Sequence, residues 1–148
     1  MVAGLTRVMD LLSNPHVYRL FQESNYGSSD HSYDVHSGAR VLDAILSEQS
    51  LPPSDVIGVS LADDFVAFLT TGIGIGSEYG MFRKKLVLGD FVPWETLSHV
   101  SLTEPSLKIF GIEVVAHDGS TALALRWYGE VEGRPERDRV CAIVQRFV

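Results

Sequence analysis

From Asp55 to Glu130 the chain is one strand signal after another, which leaves few architectures open to it. The segments DVIGVSL, DFVAFLTT, RKKLVLGD, WETLSHVSL, KIFGIEVVAHDG and STALALRWYG are rich in β-branched and aromatic residues, and polar turn formers lie between them. Ala62-Asp63-Asp64 and Gly89-Asp90 mark two turns, and Asp118-Gly119 is a short-hairpin dipeptide. Along the last strand Leu123, Leu125 and Trp127 point one way, and Ala122, Ala124, Arg126 and Tyr128 the other. In the strand before it, Ile112, Val114 and Ala116 share a face. Between Leu97 and Val100 the apolar phase slips by one residue, which predicts a bend or bulge.

The end of the chain changes period. Val140, Ile143, Val144 and Phe147 fall in one arc of a helix over 134–148, and Arg139 and Arg146 are expected on the opposite side. A helix with a single apolar stripe needs a surface to cover, and the open mouth of a strongly bent sheet would supply one.

Ahead of the strands the pattern is helical. Leu5, Val8, Met9 and Leu12 repeat at helical spacing until Asn14-Pro15 interrupts them. Pro15 suits the first position of a second helix, capped by Ser13 or Asn14, with Val17, Leu20 and Phe21 as its stripe. Residues 24–38 are mostly turn formers and predict a polar loop. Ser37 or Gly38 could then cap a helix carrying Val41, Leu42, Ile45 and Leu46, which ends at Leu51-Pro52-Pro53. The expected organisation is thus a helical extension over 1–53 and a β-domain over 54–148.

Charge bounds the partners. The net charge is −7, which argues against nonspecific attraction to nucleic acid or anionic membrane. Residues 1–105 hold six Lys/Arg against thirteen Asp/Glu, so the acidity sits there. Residues 106–148 hold six of each, and the closing helix is locally basic. With one cysteine, Cys141, neither a disulfide framework nor a cysteine zinc site can form within one chain. The first residues lack a secretory pattern, and no apolar run reaches the ~20 residues that span a bilayer. The expectation is a cytoplasmic protein.

Several clusters could carry chemistry. Thr71-Gly72-Ile73-Gly74-Ile75-Gly76 resembles a phosphate cradle, but no helix signal and no Gly-Lys-Ser/Thr follow it, so glycines marking bulges or a bend are expected. His31, Asp34 and His36 are the densest group of possible metal ligands, at a spacing that matches no zinc signature. His99 and His117, the latter beside Asp118, have no nucleophile elbow to serve. Cys141 borders the apolar stripe of its helix and reads as structural. Arg83-Lys84-Lys85 is the one basic triplet, next to Phe82 and expected near Trp94 if the neighbouring strands pair. It could grip a nucleic-acid strand, meet an acidic patch on a protein, or guard a sheet edge against unwanted pairing. No catalytic residue, metal or cofactor is assigned.

Four phrases carry a family resemblance: FLTTGIGIGSEYG, VPWETLSHVSL, IEVVAHDGSTALALRW and ERDRVCAIVQRFV. With the order of elements, they make residues 55–148 resemble the bacterial pleckstrin-homology-like (PH-like) family. The resemblance implies an α+β fold, a bent antiparallel sheet or partly open barrel capped by a C-terminal helix. It also implies a binding role, and it carries no ligand residue. Members that bind phosphoinositides use a basic pocket in the first strand–loop–strand, where this chain has the acidic Ala62-Asp63-Asp64, so that ligand is not expected. Separately, SNPHVYRLFQ and SGARVLDAI resemble the opening of some methyltransferases that bind S-adenosylmethionine, in which VLD would be a strand entering a glycine-rich turn. Here AILSEQ follows, with no glycine.

The expected function is a non-catalytic protein–protein interaction module, with Arg83, Lys84, Lys85 and Trp94 as the partner surface. It could also form homo-oligomers. The alternatives are a small-molecule or lipid carrier and a degenerate methyltransferase.

Overall fold

The computed structural model describes residues 2–24, 35–80, 83 and 85–148. Three helices come first: α1 (Val2–Ser13), α2 (Pro15–Ser24) and α3 (Val35–Gln49). Asn14 separates the first two, and its side-chain oxygen accepts the backbone N–H groups of His16 and Val17 at 3.0 and 3.4 Å. That satisfies two of the donors a helix start leaves unpaired. Val8 and Leu11 turn inward from α1, whereas Met9 faces solvent. The stripes expected for α2 and α3 are all buried. However, α3 begins at Val35, so Ser37 and Gly38 lie within it rather than capping it. Ser37 is buried because its hydroxyl donates to Glu78, 3.1 Å away on a strand.

Among the described residues eight strands follow, in two antiparallel sheets. The first sheet orders β1 (Val56–Leu61), β2 (Phe65–Leu69), β3 (Gly72–Tyr79) and β4 (Lys85–Leu88), and β5 (Val92–Pro93) also pairs with β3. A 3₁₀ turn at Trp94–Thr96 carries the chain into the second sheet, β6 (Leu97–Ser106), β7 (Ile109–Ala116) and β8 (Thr121–Tyr128). The expected slip is real, with the β6–β7 register shifting between Leu97 and His99. Helix α4 (Gly133–Gln145) ends the fold. The fold is therefore α+β with a C-terminal helix, and the strands divide into two sheets with no closed barrel among the described residues.

Over β1–β3 the first sheet is buried on both faces. Phe65, Ala67 and Leu69 of β2 pack against α1–α3, while Val66 and Phe68 face the second sheet and α4. That is why β2 reads FVAFL, a continuous apolar run rather than an alternating one. The sequence reading missed β3 as a strand, since glycines weaken strand signals. Its Gly74 and Gly76 face α3. A Cβ on Gly74 would run into Ile45, and one on Gly76 would lie 2.7 Å from a methyl of Val41. The glycine run therefore marks neither a cradle nor a bulge: it lets a helix lie close on the sheet.

Candidate functional site

The β4 side of the first sheet is an open edge among the described residues. β4 is its last strand, and no described strand lies beyond it. The Gly89 N–H donates to the Ile75 carbonyl at 2.9 Å, which sets the phase of the β3–β4 ladder. In the same register Val87 and Lys85 face Ser77 and Tyr79 as bonded pairs, so the N–H and C=O of Leu86 and Leu88 point away from β3. Leu86 and Val87 are 39% and 43% exposed, and Tyr79 beside them is 57% exposed. Arg83 and Lys85 stand in solvent at the start of the strand. Lys84 and Phe82 lie outside the described residues.

Trp94 does not join this group. It pairs off the far end of β3, where Gly72 faces Pro93, while Lys85 faces Tyr79. Seven residues of strand at ~3.3 Å each put roughly 23 Å between them. Trp94 is also 7% exposed. Its indole N–H donates to the Leu69 carbonyl at 2.7 Å, and its ring stacks on Phe147 with centroids 4.3 Å apart and planes 11° from parallel. The partner surface expected from sequence thus separates into an edge with Arg83 and Lys85 and an aromatic site with Trp94.

That second site is an open cleft of about 490 Å³. Gln49 at the end of α3 and Leu51 just after it form one wall, and Thr70 and Thr71 of the β2–β3 turn another. Phe91, Pro93, Trp94, Glu95 and Phe147 complete it. Thr71 ties to its neighbour through the Trp94 N–H, which donates to the Thr71 carbonyl at 3.2 Å.

The other expected candidates have structural duties or none. The acidic turn is engaged from both sides: Asp63 accepts the Tyr128 hydroxyl at 2.9 Å, and Asp64 accepts the Ser77 hydroxyl. The bond to Asp63 and partial burial push the Tyr128 phenol above its ordinary pKa. Burial pushes the Cys141 thiol up and Asp138 adds to that, so little thiolate forms. Asp118 is held below the ordinary carboxylate range by the Ser120 hydroxyl and N–H within its own exposed turn. His99 and His117 are exposed, as is His36, and His31 and Asp34 lie outside the described residues. No group of three metal-ligating side chains occurs among the described residues. Val41, Leu42 and Asp43 lie within α3, so the strand implied by the methyltransferase resemblance is a helix.

A buried polar group under α4 was missed. Glu136 is 4% exposed and accepts the Ser60 hydroxyl at 2.8 Å, while Ser60 accepts the Trp127 indole N–H at 3.0 Å. Arg139 was expected to face outward. Instead its guanidinium holds Glu136 with two bonds and donates to the Val59 carbonyl at 2.8 Å, covering the outer edge of β1. Arg137 is buried as well, lying over the Phe110 ring at 5.3 Å and pairing with Asp138. In sequence these charges look like a solvated helix face. The one available signal was Gly133-Arg134-Pro135 after a tight turn, which brings the first turn of α4 against β8.

No protein-family model matches the chain, and no curated protein matches it in sequence. Among the described residues no helix is long and apolar enough to cross a membrane.

Proposed function

We propose that this chain is a non-catalytic binding module on a PH-like framework, and that it takes up an extended acidic segment of a protein partner along β4. The framework reading draws on the order of elements: a four-stranded meander, a second three-stranded meander and a closing helix. The observation that carries the binding reading is the β4 edge. Leu86 and Leu88 present outward N–H and C=O groups, with exposed Tyr79, Leu86 and Val87 around them. A strand added there gains main-chain hydrogen bonds and side-chain contacts. Arg83 and Lys85 are a local positive site on a chain of net charge −7, so they favour carboxylates on the incoming segment.

Fluorescence anisotropy with labelled decapeptides of alternating Val and Glu, against matched peptides of Val and Lys, tests this. The Glu peptide binds and the Lys peptide does not. Reversing both Arg83 and Lys85 to Glu weakens binding about tenfold, the range of two exposed ion pairs. Leu86→Pro removes an outward N–H without touching the β3–β4 ladder, so it blocks binding in a folded protein. Equal binding of the two peptides, no binding of either, or full binding by folded Leu86→Pro refutes the proposal.

A further inference from the structure

The cleft at the opposite end of β3 is independent of the β4 edge, and its chemistry selects a different ligand. Its volume of about 490 Å³ falls in the range of small-molecule sites. The Trp94–Phe147 stack makes an aromatic wall that is already ordered. The indole N–H is spent on the Leu69 carbonyl, so what Trp94 offers a ligand is ring surface and not a donor. Thr70, Thr71 and Gln49 supply neutral polar groups. Glu95 is the one charged residue lining the cleft, and it is exposed. A smaller recess shares Gln49 and Phe91 with the cleft and adds Glu48. Arg146 precedes Phe147 at the end of α4 but does not line the cleft. The charge in the lining is therefore negative, and the aromatic side chains beside it are compatible with a cation.

We infer that this cleft binds a small amphipathic cation, a molecule with an ammonium group on an apolar or aromatic body. The body lies against Trp94 and Phe91, and the ammonium group meets Glu95 at the rim. Anionic ligands of the same shape are rejected by Glu95, and neutral ones lose the charge contact but keep the burial.

Three probes with one skeleton separate these contributions: 3-phenylpropylammonium, 3-phenylpropanol and 3-phenylpropionate. Binding is followed by calorimetry and by tryptophan emission, which reports on Trp94 because Trp127 is fully buried elsewhere. The ammonium compound binds about two- to fivefold tighter than the alcohol, the range for one exposed ion pair, and the carboxylate binds weakest. Glu95→Gln erases the difference between ammonium and alcohol and leaves the melting temperature unchanged. Thr71→Phe, which fills the cleft from an exposed turn, abolishes binding of both. Equal affinities for the three probes, preference for the carboxylate, no binding by any at millimolar concentration, or an ammonium preference that survives Glu95→Gln overturns the inference. Binding that survives Thr71→Phe in a folded protein overturns the location.

Discussion

Replacing Glu136 by Ala tests whether the polar group under α4 is what holds that helix across both sheets. Ser60 is fully buried on β1, Trp127 is fully buried on β8, and Glu136 joins them from the first turn of α4. The substitution removes the charged acceptor of the Ser60 hydroxyl, a bond worth roughly 1.5–3 kcal/mol. It also removes two contacts from Arg139, which keeps its bond to the Val59 carbonyl and has 30% of its side chain exposed. Breaking a buried pair typically costs about 3–5 kcal/mol, and the partial hydration of Arg139 places this case at the low end, about 3 kcal/mol. With a urea m-value near ~2 kcal/mol/M, the unfolding midpoint falls by about 1.5 M. In a thermal melt the same loss lowers Tm by roughly 6–12 °C. Tryptophan emission during urea unfolding measures the first quantity. Glu136→Gln, which keeps an acceptor for Ser60 and gives up the charge, is expected to lose about 1–2 kcal/mol. A double-mutant cycle with Ser60→Ala should show coupling of at least ~0.5 kcal/mol. If Glu136→Ala stays within ~1 kcal/mol of wild type, or Gln loses as much as Ala, the group does not join the sheets in the way argued.

Three further expectations rest on other parts of the fold. Ser50 sits at φ 55° just past α3, where the Leu51 N–H closes onto the Leu46 carbonyl at 2.9 Å, so Ser50→Gly should stabilise by about 0.5–1 kcal/mol in urea titrations. Gly74→Ala should destabilise by about 1–3 kcal/mol through Ile45, and Ile45→Ala in the same chain should show favourable coupling in a denaturant cycle. Asp43 lies 2.7 Å from Arg7, off the line of its N–H, and one of its oxygens has no hydrogen bond. Burial raises its pKa and Arg7 only partly offsets that, so the folded state holds this proton more tightly than the unfolded chain does. Its contribution to stability is full below the ordinary Asp value of about 3.9 and is lost as pH rises through the raised one. The Tm of Asp43→Asn relative to wild type should therefore climb with pH across that window, and a flat or falling difference would count against this assignment.

The strands were legible wherever one face alternates. Ile112, Val114, Leu123, Leu125 and Trp127 share the face read from sequence, Ala122 joins them from the other face beside a β7–β8 register shift, and the slip near Leu97 shows as a register shift too. β3 was not legible, because its α3-facing side is glycine and the reason lies in Ile45 and Val41, about thirty positions upstream. β5 is two residues long and exists only through its pairing with β3. The candidate sites followed the same division. Arg83 and Lys85 are exposed beside the β4 edge, whereas Trp94 was placed with them on the assumption of a single paired edge. The Gly89–Phe91 jog between β4 and β5 breaks that edge. The inward turn of Arg139 and the burial of Glu136 and Arg137 were not legible, because period-based reasoning sends charges outward. Their burial depends on Ser60, Val59 and Phe110, which only the folded chain brings near.

The two-sided burial of the first sheet has a consequence for synthesis. The chain leaves the ribosome from its N-terminus, at about 5–20 residues per second. The core on the α3 side draws on residues from Val8 to Phe91, so it can assemble early. The opposite face of the same sheet, with Val66, Phe68 and Ile73, is closed by Val140 and Val144, which emerge after every strand of the fold. Until then that face and the Val59 carbonyl on the β1 edge are open to water and to other chains. A nascent chain stalled before α4 is therefore half a protein with a greasy wall and an uncovered strand. It is the form that chaperones would meet, and the form in which truncated products would aggregate.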